Sequence, residues 1–135
     1  MTKLGSFSAA TFNMLAPCYK REKTDGISTG RMMKRESHTG WEGRAEKSLA
    51  FFESELLSSF SIVAVQEFWL GKSEYQEMFE SLLRRLGFSL YTLGRHPTRK
   101  EDGVATMVQT SVLQVQSYEN VSLCSNTDRV ALLLW

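Results

Sequence analysis

Two cysteines in 135 residues, Cys18 and Cys124, are too few and too far apart for a disulfide framework or a Cys/His zinc site. They read as free thiols in a reducing compartment, with a disulfide between them the less favoured option. Histidine is equally scarce. His38 and His96 both lie in polar stretches, and no Ser/His/Asp triad can be assembled around them. No apolar run approaches the ~20 residues of a membrane span. The N-terminal MTKLGSFSAA lacks the apolar core of a secretory signal. The expected location is cytosol or nucleus, with an organelle left open. Charge of one sign is missing too. The 16 Lys and Arg against 15 Asp and Glu leave a net +1, so no overall field argues for nucleic acid or a membrane surface. Internal repeats and low-complexity tracts are absent. What is there is a globular balance, 42% apolar and 23% charged, long enough for one domain with a core.

The apolar pattern alternates between sheet and helix. Residues 7–13, FSAATFN, predict a short strand ending in Asn13. Residues 17–40 read as a charged, glycine-bearing loop. TGWE at 39–42 has capping-box spacing, with Thr39 as N-cap. The helix predicted from there to about Phe60 places Trp41, Ala45, Leu49, Phe52, Leu56 and Phe60 at helical intervals. SIVAVQE at 61–67 is a strand. SEYQ at 73–76 is a second capping box, and Tyr75, Met78, Phe79, Leu82, Leu83 and Leu86 form one face of its helix, closed by Gly87. Strands are predicted at 88–93, 104–110, 113–118 and 129–135. The order is that of an α/β or α+β protein with helices packed outside a sheet. The first strand, the crossover helix and strand 61–67 make a βαβ unit, so the two strands run parallel and end at the same edge of the sheet.

Those ends carry Asn13 and Glu67. A carboxylate flanked by apolar residues at the end of a buried strand is costly unless something pairs with it. Two readings stand on spacing alone. An amide oxygen and a carboxylate suit Mg²⁺, which takes few protein ligands and several waters. Alternatively, Asn13 caps a turn and Glu67 pairs with an arginine such as Arg44. Other near-motifs fail. GKS at 71–73 would need a glycine where Gln66 stands to be a phosphate loop. EDG at 101–103 lacks the acidic positions of a calcium loop and reads as a turn at Asp102-Gly103.

TFNMLAPCY at 11–19, WEGR at 41–44, SIVAVQEFW at 61–69, DGVATMV at 102–108 and the terminal RVALLLW, in that order, resemble the endonuclease/exonuclease/phosphatase superfamily. This is the deoxyribonuclease I-like fold, and the form of the first motif is nearest to the poly(A)-deadenylase-like branch. The resemblance runs from about residue 7 to Trp135. It implies the N-terminal half of a four-layer α/β sandwich whose whole would need on the order of 200–250 residues. The chain is therefore expected to be one incomplete domain over 1–135, as a fragment, a splice product or a truncated gene model.

The resemblance also implies chemistry. Asn13 and Glu67 match the positions that bind catalytic Mg²⁺, or Mn²⁺ in its place, for hydrolysis of a phosphodiester, with RNA the favoured substrate. Asn13 would act directly or through water. Lys20, Arg21, Arg31, Lys34 and Arg35, in the loop that leaves the first strand, are candidate contacts to a phosphate backbone, against the plainer reading of a solvated loop. Arg95, Arg99 and Lys100 are weaker candidates of the same kind. Trp41 and Arg44 read as packing and a structural ion pair. The family's downstream His, Asp-x-Asn and Asp-His motifs have no counterpart here, so the chain alone is expected to be inactive. The alternatives are a non-catalytic half-domain or binding module, or a phosphoinositide phosphatase or other phosphodiesterase of the same superfamily. Strand 129–135, apolar throughout its centre, is expected to drive self-association.

Overall fold

The computed structural model describes residues 6–23, 33–35, 40–95, 100–123 and 128–135, and at 21–23 and 33–35 it describes the backbone only. The elements run β1 (Ala9–Asn13), β2 (Arg21–Lys23), β3 (Met33–Arg35), α1 (Trp41–Phe51), β4 (Ile62–Trp69), α2 (Ser73–Leu86), β5 (Phe88–Gly94), β6 (Asp102–Gln109), β7 (Tyr118–Ser122) and β8 (Val130–Leu134). The main sheet has the order β1-β4-β6-β5. β1 lies parallel to β4, as the helical crossover requires. β6 is antiparallel to both β4 and β5. The C-terminal ends of β1, β4 and β5 and the start of β6 therefore meet at one end of the sheet.

One face of this sheet carries the core. Val63 and Val65 of β4, Ala105 and Met107 of β6 and Phe88 of β5 are buried there, against Ala45, Phe52, Phe79 and Leu83. Phe79 is the hub of the helical side, with its ring 5.5 Å from Phe52, 5.4 Å from Phe68 and 5.1 Å from Tyr75. Each such ring gains about 1.5–3 kcal/mol from burial, and favourable pair geometry adds roughly 0.5–1.5 kcal/mol. The inward face of α2 is the predicted one: Tyr75, Phe79, Leu82 and Leu83 are buried, and Met78 and Leu86 are packed against them. Gly87 closes α2 at φ 75°, the left-handed cap that glycine takes without strain.

Four expectations need correction. Helix α1 begins at Trp41 with Gly40, at φ 81°, as its N-cap and no side-chain cap bond, while Thr39 lies outside the described residues. It gives way at Phe52 to a π-helical stretch, Phe52–Leu56, closed by Leu57 N–H donating to Phe52 O at 2.7 Å. The wider turn brings Leu57 inward beside Phe52 and Leu56, which a uniform α-helix to Phe60 would not do. At α2 the N-cap is Lys72 in an extended conformation. Ser73 is already helical and spends its hydroxyl on Glu74 Oε2 at 3.1 Å. The region 17–40 is not all loop, because β2 and β3 pair antiparallel, with Arg21 opposite Arg35 and Glu22 opposite Lys34. Finally, the strand predicted at 113–118 is absent over 113–117. Val112 and Leu113 N–H groups both turn back to Gln109 O, and the strand β7 starts at Tyr118, paired with β8. An alternating pattern gives a strand only where a ladder partner exists, and β8 offers one to 118–122. Among the described residues no helix is long and apolar enough to cross a membrane.

Candidate metal and phosphate site

Alternation along β4 would send Glu67 to the same side as Val63 and Val65, into the aromatic core. The chain avoids this with a β-bulge. Glu67 takes φ 55°, and the pairing with β6 slips there, from Gln66 opposite Val104 to Phe68 opposite Gly103. Phe68 thereby takes the core position, fully buried, and Trp69 follows with its ring 5.6 Å from Trp41. β4 thus runs two residues beyond Glu67, where the sequence pattern ended it. The left-handed conformation is unfavourable for a glutamate by about 1–2 kcal/mol. Local strain of this kind concentrates at functional positions.

The bulge turns Glu67 toward Asn13, which stands opposite Gln66 across the β1–β4 ladder. Asn13 Nδ2 donates to Glu67 Oε1 at 3.0 Å. Asn13 Oδ1 accepts the N–H of Leu15 at 2.9 Å, which fixes the amide's orientation, because a backbone N–H can bond only to the oxygen. Glu67 Oε2 is buried and accepts no hydrogen bond from any described residue. A buried, unpaired carboxylate oxygen costs several kcal/mol unless a cation or donor meets it. The arginine of the alternative reading, Arg44, aims elsewhere in part: its guanidinium donates to Met14 O at 2.9 Å and Leu15 O at 2.7 Å.

The residues present fit a hard divalent cation with one protein carboxylate. Glu67 would supply the anionic oxygen, and Asn13 the orientation of that carboxylate together with the second lone pair of Oδ1. No group of three or more His, Cys, Asp or Glu converges anywhere among the described residues, so any such cation keeps most of its shell as water or substrate oxygen.

The basic candidates fare unequally. Lys20 follows the loop that leaves β1. Arg21, Lys34 and Arg35 lie on the β2–β3 ladder, where only backbone is described, and Arg31 lies outside the described residues, as do His38, His96, Arg99 and Cys124. Cys18 is buried. Arg95 is no loose surface cation, since its guanidinium is 2.9 Å from Asp102 Oδ2 and 3.9 Å from Asp128 Oδ2.

That carboxylate was missed by sequence reasoning. Asp102 is not in a turn but opens β6 opposite Trp69, and it is completely buried. Its Oδ1 accepts a short hydrogen bond from the Tyr19 hydroxyl. Burial first, then this bond, push the Tyr19 hydroxyl well above the ordinary phenol range, so it remains a donor. The signal available in the sequence was the glycine beside it. A Cβ on Gly103 would lie 2.1 Å from Leu93 O, so the position demands close strand approach rather than a turn.

A parallel β1–β4 pair ending in an amide and a bulged carboxylate, extended by antiparallel β6 and β5 under two helices, defines a mixed α/β fold of the deoxyribonuclease I-like class. It matches the N-terminal part of ANGEL2, described as a 2′,3′-cyclic phosphatase. The chain superposes on its complex with adenosine-2′,3′-vanadate with a TM-score of 0.70 at 19% identity, and on a second ANGEL2 structure with 0.68 at 19%. Each match covers 95% of this chain and 36% of ANGEL2. An Arabidopsis thaliana protein described as an uncharacterized calcium-binding protein is 34% identical over 131 residues. The match takes in 96% of this chain but only 25% of that relative's length. No family model matches the sequence.

Proposed function

We propose that this chain carries the cation-binding part of a phosphodiester-hydrolysing site of the endonuclease/exonuclease/phosphatase type, with RNA as the substrate class. The observation that carries the reading is Glu67 itself, a carboxylate on a strained bulge with one buried oxygen left unpaired beside Asn13. The cation is Mg²⁺, with Mn²⁺ as a substitute. When bound, it would supply charge stabilisation at a phosphate oxygen. Glu67 would hold it, and Asn13 would keep the Glu67 carboxylate turned outward while its own oxygen is held by Leu15. The ANGEL2 complex with a 2′,3′-vanadate of adenosine supports a ribose-linked phosphodiester as the reacting group. The calcium-binding description of the Arabidopsis relative agrees with a hard, oxygen-ligated cation without selecting Mg²⁺ over Ca²⁺. No group of three or more His, Cys, Asp or Glu gathers among the described residues to complete a hydrolytic centre. The expected behaviour of this chain alone is cation and phosphodiester binding without turnover.

The test is Mn²⁺ titration followed by electron paramagnetic resonance, with Mg²⁺ and Ca²⁺ as competitors, alongside hydrolysis of adenosine-2′,3′-cyclic phosphate. One Mn²⁺ should bind the wild-type chain and none should bind Glu67→Gln, which preserves shape and the Asn13 contact. Equal Mn²⁺ binding by the two proteins would remove the site. Turnover that survives repurification and vanishes in Glu67→Gln would overturn the inactivity of the isolated chain.

A further inference from the structure

We infer that Asp102, through Tyr19 and Arg95, is a positioning group that locks the segment following β1 across the end of β4 and so sets the geometry of Asn13 and Glu67. The inference rests on the cation-site reading above.

The segment 14–19 leaves β1, and its last side chain, Tyr19, reaches Asp102 on β6; in the sheet order β4 lies between the two strands. It therefore crosses over the strand that carries the bulge. Its first end is tied by Met14 N–H to Gln66 O at 3.0 Å, the residue just before Glu67, and by Arg44 to the Met14 and Leu15 carbonyls. Met14, Ala16 and Cys18 are buried, and Tyr75 Oη reaches Met14 Sδ at 3.9 Å, so the segment is seated on the core. Leu15 is the exception. It is exposed, at φ 50°, and its N–H is the one that holds Asn13 Oδ1. Two left-handed residues, Leu15 and Glu67, thus sit on either side of the Asn13 amide. Neither is a glycine, so each conformation must be imposed by neighbouring contacts.

The far end of the segment supplies the imposition. A tight turn returns Tyr19 N–H to Ala16 O at 2.9 Å, and the Tyr19 hydroxyl reaches the buried Asp102. Asp102 is held in turn by Arg95, whose guanidinium is 2.9 Å away and whose backbone N–H donates to Asp102 O at 3.3 Å. Gly103 permits this closure, because β5 passes too close there for any side chain. A fully buried carboxylate with two partners from two other segments is a poor source of net stability but a good source of a unique arrangement. Such outer partners of a metal-holding group commonly decide its affinity.

The experiment is Mn²⁺ affinity by electron paramagnetic resonance on the full chain, at a temperature well below unfolding. It compares wild type, Glu67→Gln, Tyr19→Phe and Asp102→Asn, with amide exchange at Leu15 read in parallel. Tyr19→Phe keeps the ring and removes only the bond to Asp102. It should weaken Mn²⁺ binding by about tenfold or more and speed Leu15 exchange, with the folded spectrum retained. Asp102→Asn should do the same, and if it fails to fold, Tyr19→Phe decides. If Glu67→Gln abolishes Mn²⁺ binding while Tyr19→Phe binds like wild type, merely melting at a lower temperature, the network is structural and the inference falls while the site stands. If Glu67→Gln binds Mn²⁺ normally, the site reading falls and takes the inference with it.

Discussion

Glu67 carries two unfavourable features at once, a left-handed backbone and a buried unpaired oxygen. Selection for stability alone would favour glycine there. Glu67→Gly should therefore gain about 1 kcal/mol in urea unfolding, the relief of φ and of the orphan oxygen outweighing the lost bond from Asn13. The same variant should bind no Mn²⁺. A clear loss of stability would mean that Glu67 is held for packing and not for a ligand. The placing of Asn13 and Glu67 at one end of the sheet was legible in the sequence, because Asn and Glu end their apolar runs in a βαβ unit. The bulge was not legible. Its cause is the competition of Glu67 and Phe68 for one core position, which depends on the rings of Tyr75 and Phe79 that await Phe68.

Among the elements, β5 and β6 set the tightest tolerance. Gly103→Ala drives a Cβ into Leu93 backbone at 2.1 Å, so something in the ladder must give, at about 3 kcal/mol or more. Gly71→Ala meets Glu101 Cβ at 2.7 Å, an atom that side-chain rotation cannot move, so the backbone at Glu101 must shift and the bond from Trp69 Nε1 is disturbed with it. A smaller loss, about 1–2 kcal/mol, is expected in the same thermal or urea measurement, because the approach is less close than at Gly103. Equal effects would show that strand approach at Gly103 is not limiting. The helical layer has a pH-dependent tie, where Arg85 grips Glu53 with contacts of 2.8 and 3.0 Å. The hydrogen bonds from Arg85 hold the Glu53 carboxyl below the ordinary carboxylate range. A depressed folded value means that the stabilisation is complete above the unfolded carboxylate pKa and is lost as pH falls through the folded one. Both groups are exposed, so the effect is small and weakens in salt. Urea midpoints of wild type and Glu53→Gln should differ slightly at neutral pH and converge on acidification. Divergence at low pH would contradict the sign.

At the scale of the whole molecule, the helix-covered face is finished and other surfaces are not. Trp135 is 66% exposed, Tyr118 60% and Leu133 42%, all on or beside the β7–β8 pair, while Phe12 and Phe51 form an exposed aromatic pair along β1. Apolar surface of this kind favours association. Among the described residues β1 pairs only with β4, and its other edge is one that another chain can extend. At micromolar concentration the chain should elute as more than a monomer and bind a hydrophobic dye. A sharp monomer peak with cooperative thermal unfolding would overturn this. Truncating Trp135 and Leu133 to polar residues should shift the distribution toward monomer if β8 is the surface responsible, and leave it unchanged if β1 is.

Periodicity alone was enough for the inward face of α2, the parallel β1–β4 pair and the placing of Asn13 and Glu67 at one end of the sheet, because a helical crossover leaves a parallel pair only one arrangement, whereas the contact between the two side chains needed the bulge. Gly87 as a helix end was equally local, a matter of its own φ. The π-helical turn, the β2–β3 ladder, the non-strand at 113–117 and the burial of Asp102 depended on partners distant in the chain. Asp102 shows the difference most plainly. Beside a glycine and among charged neighbours it has the local chemistry of a turn residue. It becomes a buried side chain only because Tyr19 and Arg95, 83 residues apart from it in one case, arrive at the same end of the sheet. A charge can leave water only where its partners already are, and that is a property of the assembled sheet rather than of any stretch of sequence.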